Sequence, residues 1–182
     1  SSEETLRDIN RKISKAIEEI EREAREIDRE LRKAVEDLKR EAEEIDERVR
    51  EVIERIGTRD EDLKRLEEEI ERLHRELEKK ARDLARKARE LHRRLEEKIR
   101  ELADRLRRLS EEAEKRDGRD TEVKKVLDKN EELLKRWEDR LREVLERNRK
   151  TLREIERELE EVLRKNRESI KKLKRELEEA SR

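Results

Sequence analysis

One spacing governs this chain: its apolar residues recur in steps of 3, 4, 4, 3 and 4, so that the pattern returns every 18 residues. It runs through Leu6, Ile9, Ile13, Ile17, Ile20 and Ala24 as far as Ile56. Later it shows as triplets 18 apart, such as Leu66, Leu84 and Leu102, or Val126, Val144 and Val162. Steps of three and four are helical periodicity and exclude strands. Eighteen residues in five turns give 3.6 per turn, between the 3.5 of a left-handed supercoil and the 3.67 of a right-handed one. The stripe therefore stays almost parallel to the helix axis, and a bundle built on it is expected to be nearly straight. Each stripe spans about 120° of its helix, enough to close one core and too little to offer a second partner face.

Punctuation is as regular as the stripe. Gly57 and Gly118 are the only glycines, and no proline occurs. Together they divide the chain into near-thirds, so three long helices are expected at about 1–56, 59–117 and 121–181, with loops at 57–58 and 118–120. Gly57 follows the last periodic residue, Ile56, where a left-handed C-cap is expected, and Thr58 with Glu61 reads as a capping box for the second helix. Gly118 ends the second helix in the same way. Asp120 reads as the N-cap of the third, with Thr121 as the alternative. Connections this short place sequential helices antiparallel. The fold class expected is therefore all-α: a single-domain, antiparallel three-helix bundle over residues 1–182.

The composition looks at first like that of a disordered polyampholyte, with 61% charged and 29% hydrophobic residues. A disordered chain, however, has no reason to space its apolar residues regularly. The charges instead fill the outer faces as Glu followed four residues later by Arg or Lys, as in Glu18 with Arg22 and Glu160 with Arg164, each pair contributing a few tenths of a kcal/mol. Lys and Arg number 55 against 56 Asp and Glu, for a net charge of -1, which argues against nucleic acid, whose phosphates call for a basic surplus. No apolar run approaches the roughly 18 residues of a membrane span, and residues 1–30 hold no apolar signal segment. With no cysteine there is no disulfide or thiolate metal site. Trp137, the only aromatic residue, shares its eighteen-residue class with Ile155 and Leu173 and is expected in the core.

Polar residues that break the stripe obey the same period. Asn130, Asn148 and Asn166 lie near the centre of the third helix's apolar face. His74, His92 and Ser110 on the second helix, and Asn10, Asp28 and Asp46 on the first, fall at the border of theirs. Folding the chain at its loops puts Asn10, Ser110 and Asn130 at one level, Asp28, His92 and Asn148 at a second, and Asp46, His74 and Asn166 at a third, about 27 Å apart. Thr151 and Ser169, close to Asn148 and Asn166, are candidates to complete the two levels that contain histidine. An unpaired buried amide costs about 1–3 kcal/mol, so each Asn requires partners.

Asp46, His74 and Ser169 have the composition of a hydrolytic triad. A triad also needs a cleft and an oxyanion hole, which uninterrupted helices do not supply. Two histidines about 27 Å apart make no zinc set. No catalytic, cofactor-binding or metal-binding residue is therefore expected, and no cofactor. A pH response through His74 and His92 is the livelier alternative, since a neighbouring Asp and burial move a histidine in opposite directions. The main expectation is that the polar levels are hydrogen-bonded layers that fix helix pairing.

Strict eighteen-residue repetition, minimal Gly-marked loops, surfaces saturated with Glu, Arg and Lys, no Pro, Met, Cys, Phe or Tyr, and periodic Asn, His and Asp together resemble a computationally designed helical bundle. The chain is similar to untwisted three-helix bundles generated parametrically and to designed bundles with buried hydrogen-bond networks. The resemblance is one of construction rules over the whole chain and carries no functional residues. It implies a scaffold with no natural biochemical function, soluble and cytoplasmic when made in a host. The single apolar stripe of each helix favours a monomer that requires no partner, with neither nucleic acid nor membrane expected. A component designed to pair with a second chain or with itself is the alternative.

Overall fold

The computed structural model describes residues 2–58, 61–115 and 121–181, with side chains described at 7–58, 61–109, 111–112 and 128–181. It is an all-α three-helix bundle: α1 spans Ser2–Arg55, α2 Asp62–Lys115 and α3 Thr121–Ala180. Their lengths are 54, 54 and 60 residues, and helix is the only regular structure among the described residues. Packing divides the chain into two compact units, each with a segment of every helix. Unit 1 holds residues 1–28 and 90–151, and unit 2 holds 29–89 and 152–182.

Within each unit the apolar stripes turn inward as their spacing requires. In unit 2, Leu31, Val35 and Val52 of α1, Ile70 and Leu77 of α2 and Ile155 of α3 are fully buried. In unit 1, Ile17, Leu95, Leu106 and Leu141 are fully buried, and Trp137 is buried at 6% exposure. Trp137, Ile155 and Leu173, one class of the repeat, all belong to the core.

Ion pairs between helices record the register. In unit 2, the residue numbers of paired α1 and α2 side chains add to 117 for Glu30 with Lys87 and Arg48 with Glu69, and to 121 for Glu41 with Lys80. In unit 1, Glu23 with Lys98 also gives 121. A constant sum is the mark of antiparallel neighbours. Between α1 and α3 it is the difference that is constant, 122 for Arg32 with Glu154 and 119 for Lys39 with Glu158 in unit 2, and 119 for Glu21 with Arg140 in unit 1. Those two helices are parallel. These pairs are partly or well exposed and contribute at most about 1 kcal/mol each, so they mark the register more than they hold it.

The first junction is built differently from the sequence expectation. Gly57 does not adopt a positive φ, so it is not a left-handed cap. Thr58 does not open α2, which begins at Asp62. Its amide and its hydroxyl both donate to the Arg55 carbonyl oxygen, at 2.9 and 2.7 Å. One residue thereby satisfies an orphan carbonyl of the last turn of α1 twice over, which removes the need for a glycine in the left-handed region. At the end of α3, Ser181 serves two carbonyls instead of one: its amide donates to the Leu177 carbonyl oxygen at 3.1 Å and its hydroxyl to that of Glu178 at 2.9 Å. Gly118, Asp120 and the loop 118–120 lie outside the described residues.

Candidate functional site

The stripe geometry that buries Leu and Ile also buries the asparagines of α3. Asn130 is 7% exposed, Asn148 5% and Asn166 1%, and His92 on α2 is 3% exposed. Asn10, Asp28, Asp46 and His74 are half-buried, at the border of the core. The three sets expected at common levels have numbers adding to 120 between α1 and α2 and to 240 between α2 and α3. The first sum falls inside the range of the ion pairs. For the second, the α2–α3 pairs give 245 for Glu78 with Arg167 in unit 2 and for Glu96 with Arg149 in unit 1.

In unit 2, α2 and α3 meet through a direct contact between His74 Nδ1 and Asn166 Oδ1. The other ring nitrogen, Nε2, lies 3.2 Å from Glu78 Oε1, one turn further along α2. Both ring nitrogens are thus directed at residues other than Asp46 and Ser169, so the three do not form a triad. Asp46 and Asn166 both line a cavity of about 500 Å³ between α1 and α3. Asp46 Oδ1 and Asn166 Nδ2 are each buried with no hydrogen-bond partner from the protein. Ser169 is half-buried, and among the described residues its hydroxyl bonds to none of the other three.

In unit 1, the second set places Asn148 with its Nδ2 buried and bonded to no protein group, while Thr151 is half-buried nearby in α3. Asn10 Oδ1 and Asn130 Oδ1 are in the same condition as Asn148 Nδ2. The side chain of Ser110 lies outside the described residues.

A further shell went unread in the sequence. Glu78 accepts from Arg167 Nε at 3.0 Å and lies 3.8 Å from an Arg82 guanidinium nitrogen. Eighteen residues away, in unit 1, Glu96 accepts from Arg149 Nε at 3.1 Å and lies 4.0 Å from an Arg100 guanidinium nitrogen. The two carboxylates are 23% and 24% exposed, so the arrangement is reproduced in burial as well as in partners. The bond from Arg167 is the main reason that the Glu78 carboxyl is held below the usual carboxylate value, with burial opposing and the charges of His74 and Arg82 assisting. The signal was present: each Glu is four residues after a histidine, and each Arg on α3 directly follows an asparagine of the series.

No protein-family model matches the chain, and no curated protein does. A solved structure described as a computationally designed three helix bundle is similar to it. That likeness covers 97% of this chain and 94% of the other, at 22% identity and a TM-score of 0.44.

Chemically, the site offers hydrogen bonds and two ionic clusters, around Glu78 and Glu96, in a frame of continuous helices. Among the described residues no group of three or more His, Asp and Glu is placed to hold a metal ion, and no helix is long and apolar enough to cross a membrane. The arrangement can join helices at a defined height, because a contact such as His74 with Asn166 is satisfied in one register and broken by a shift of one turn.

Proposed function

We propose that the chain is a de novo designed scaffold, an untwisted three-helix bundle whose buried polar levels specify which helix faces pair and at what height. The observation that carries this reading is the eighteen-residue recurrence of the polar set. Asp28 and Asp46, His74 and His92, Asn148 and Asn166, and the Glu–Arg clusters around Glu78 and Glu96 all repeat at the period of the apolar stripe. A shared period sets the polar groups of each unit at equivalent positions along their helices. Burial supports a specifying role over a catalytic one. An amide at 1% exposure penalises every register that leaves it unpaired, by about 1–3 kcal/mol.

The scaffold acts as a monomer, since each helix carries one apolar stripe and spends it on its two neighbours. Sedimentation is expected to return 22.5 kDa, and an integer multiple supports the reading as an assembly component instead. The specifying role is tested by replacing Asn130, Asn148 and Asn166 together with Leu. The expected result is a folded, helical protein with more than one set of interhelical NOEs. A single set identical to that of the parent would refute it.

A further inference from the structure

His74 faces an acceptor on each side. The Glu78 carboxylate at Nε2 accepts only, and its own ionised state is held by Arg167 and Arg82. Nε2 therefore keeps its proton whatever the charge of the ring. Nδ1 meets the carbonyl oxygen of Asn166, also an acceptor only, so the contact as it stands uses an imidazolium with both nitrogens donating. Removing the Nδ1 proton leaves a lone pair against a carbonyl oxygen in a part-buried contact.

Asn166 has one way out. The oxygen and nitrogen of a side-chain amide are nearly the same size, so a half-turn about its last torsion exchanges them without repacking the core. After that turn Nδ2 donates to the bare Nδ1. The exchange has a consequence on the far side, because Asn166 lines the cavity it shares with Asp46. The unbonded Nδ2 donor now on that side gives way to a carbonyl oxygen, facing α1 with its unbonded Asp46 Oδ1 acceptor.

We propose that Asn166 is a proton-coupled two-position switch, presenting Oδ1 to His74 when the ring carries two protons and Nδ2 when it carries one. The proton lost is the one on Nδ1, and it leaves to solvent. Charged groups surround the pair from all three helices: Lys39, Glu43 and Asp46 of α1 and Arg157, Glu158, Glu161 and Lys165 of α3 line the cavity beside Asn166, while Glu78 of α2 meets the His74 ring and is itself paired with Arg82 and Arg167. The carboxylates favour the cationic state and the basic groups oppose it. Their balance fixes where in pH the exchange falls, while the geometry fixes what is exchanged. The switch does not depend on whether the layers specify pairing, since it needs only the His74–Asn166 contact and its two flanks.

The test is nitrogen NMR of the full chain between about pH 5 and about pH 9, which spans the ordinary histidine range. As His74 titrates, the expected result is loss of the proton from Nδ1 with retention on Nε2. The Asn166 amide resonances are expected to move with the same midpoint, and an NOE from its NH2 to the His74 ring is expected only in the neutral state. A neutral His74 carrying its proton on Nδ1 would overturn the proposal, as would Asn166 resonances that ignore the titration. Asp46→Asn is expected to lower the midpoint, because it removes a carboxylate that opposes the turned amide. An unchanged midpoint would overturn the part assigned to Asp46. Retention of a single set of interhelical NOEs throughout keeps this outcome separate from that of the register test.

Discussion

Replacing Asn166 by Leu sets the relief of an unbonded donor and the burial of an apolar side chain against the loss of one hydrogen bond. Asn166 is 1% exposed, and its Nδ2 finds no protein acceptor, a condition that costs about 1–3 kcal/mol. A buried Leu side chain in its place contributes about 1.5–3 kcal/mol, and its branching at the same carbon spares the core an overpacked shape. Against this stands the bond from His74, worth about 1.5–3 kcal/mol with a charged ring and about 0.5–1.5 with a neutral one. His74 is also left with an unsatisfied Nδ1, although its side chain is 16% exposed and can turn toward water. The balance favours the variant by about 1–2 kcal/mol, or roughly 2–8 °C in Tm for a chain of this size. Urea unfolding followed by far-UV circular dichroism measures it as a shift in midpoint at constant slope. Replacing His74 by Leu as well removes the unsatisfied ring nitrogen, so the double variant is expected to gain about 1 kcal/mol more. If the double variant unfolds at lower urea by about 1 kcal/mol or more, the polar contact contributes net energy and the reasoning fails.

Asn148→Leu in unit 1 is expected to show equal or higher thermal stability, with amide exchange revealing less uniform protection because a pairing constraint is lost. Gly57→Ala is expected to be neutral or to stabilise by up to about 1 kcal/mol, since a Cβ there meets nothing within 4 Å and φ is not positive; a loss of that size in thermal unfolding would mean a left-handed Gly57 after all. Leu77→Ala, at a fully buried site, is expected to cost about 2–5 kcal/mol by urea denaturation. The Glu78 carboxyl titrates below its ordinary 4.5 in the folded state, so its contribution is present above pH 4.5 and lost as pH falls through the lower folded value. Glu78→Gln should remove that acid-side increment, of less than about 1 kcal/mol, when urea midpoints above and below about pH 4.5 are compared.

The fold was legible because one period does all the work: a 3-4-4-3-4 step both demands helix and says which side is inside. Buried Ile17, Leu95 and Trp137 follow from it directly. So does the burial of Asn130, Asn148 and Asn166, since position on the stripe decides burial whatever the side chain. The junction at Gly57 was misread because glycine permits a left-handed cap without requiring one, and Thr58 supplies a competing way to satisfy the Arg55 carbonyl. The partners of the buried groups were the least legible part. Sharing a level brings His74 to Asn166, but which atoms then meet depends on torsions that periodicity does not address. Asp46 and Asn166 share a level and a cavity without bonding.

The outer carboxylate clusters show what the period still conceals. Glu follows by four residues at all three polar positions of α2: Glu78 after His74, Glu96 after His92 and Glu114 after Ser110. On α3, Arg follows Asn166 and Asn148, but Glu131 follows Asn130. The basic partner therefore accompanies histidine and gives way to an acid where serine stands in its place. An arginine placed to serve the asparagine would recur at all three levels. One placed to hold the carboxylate against an imidazole is needed only at the two histidine levels, and at His74 the ionised Glu78 fixes Nε2 as the donor and so decides which nitrogen is turned to α3. On this reasoning Arg167 bears on Asn166 only through Glu78 and His74, as a chain of donors and acceptors that ends in the buried amide.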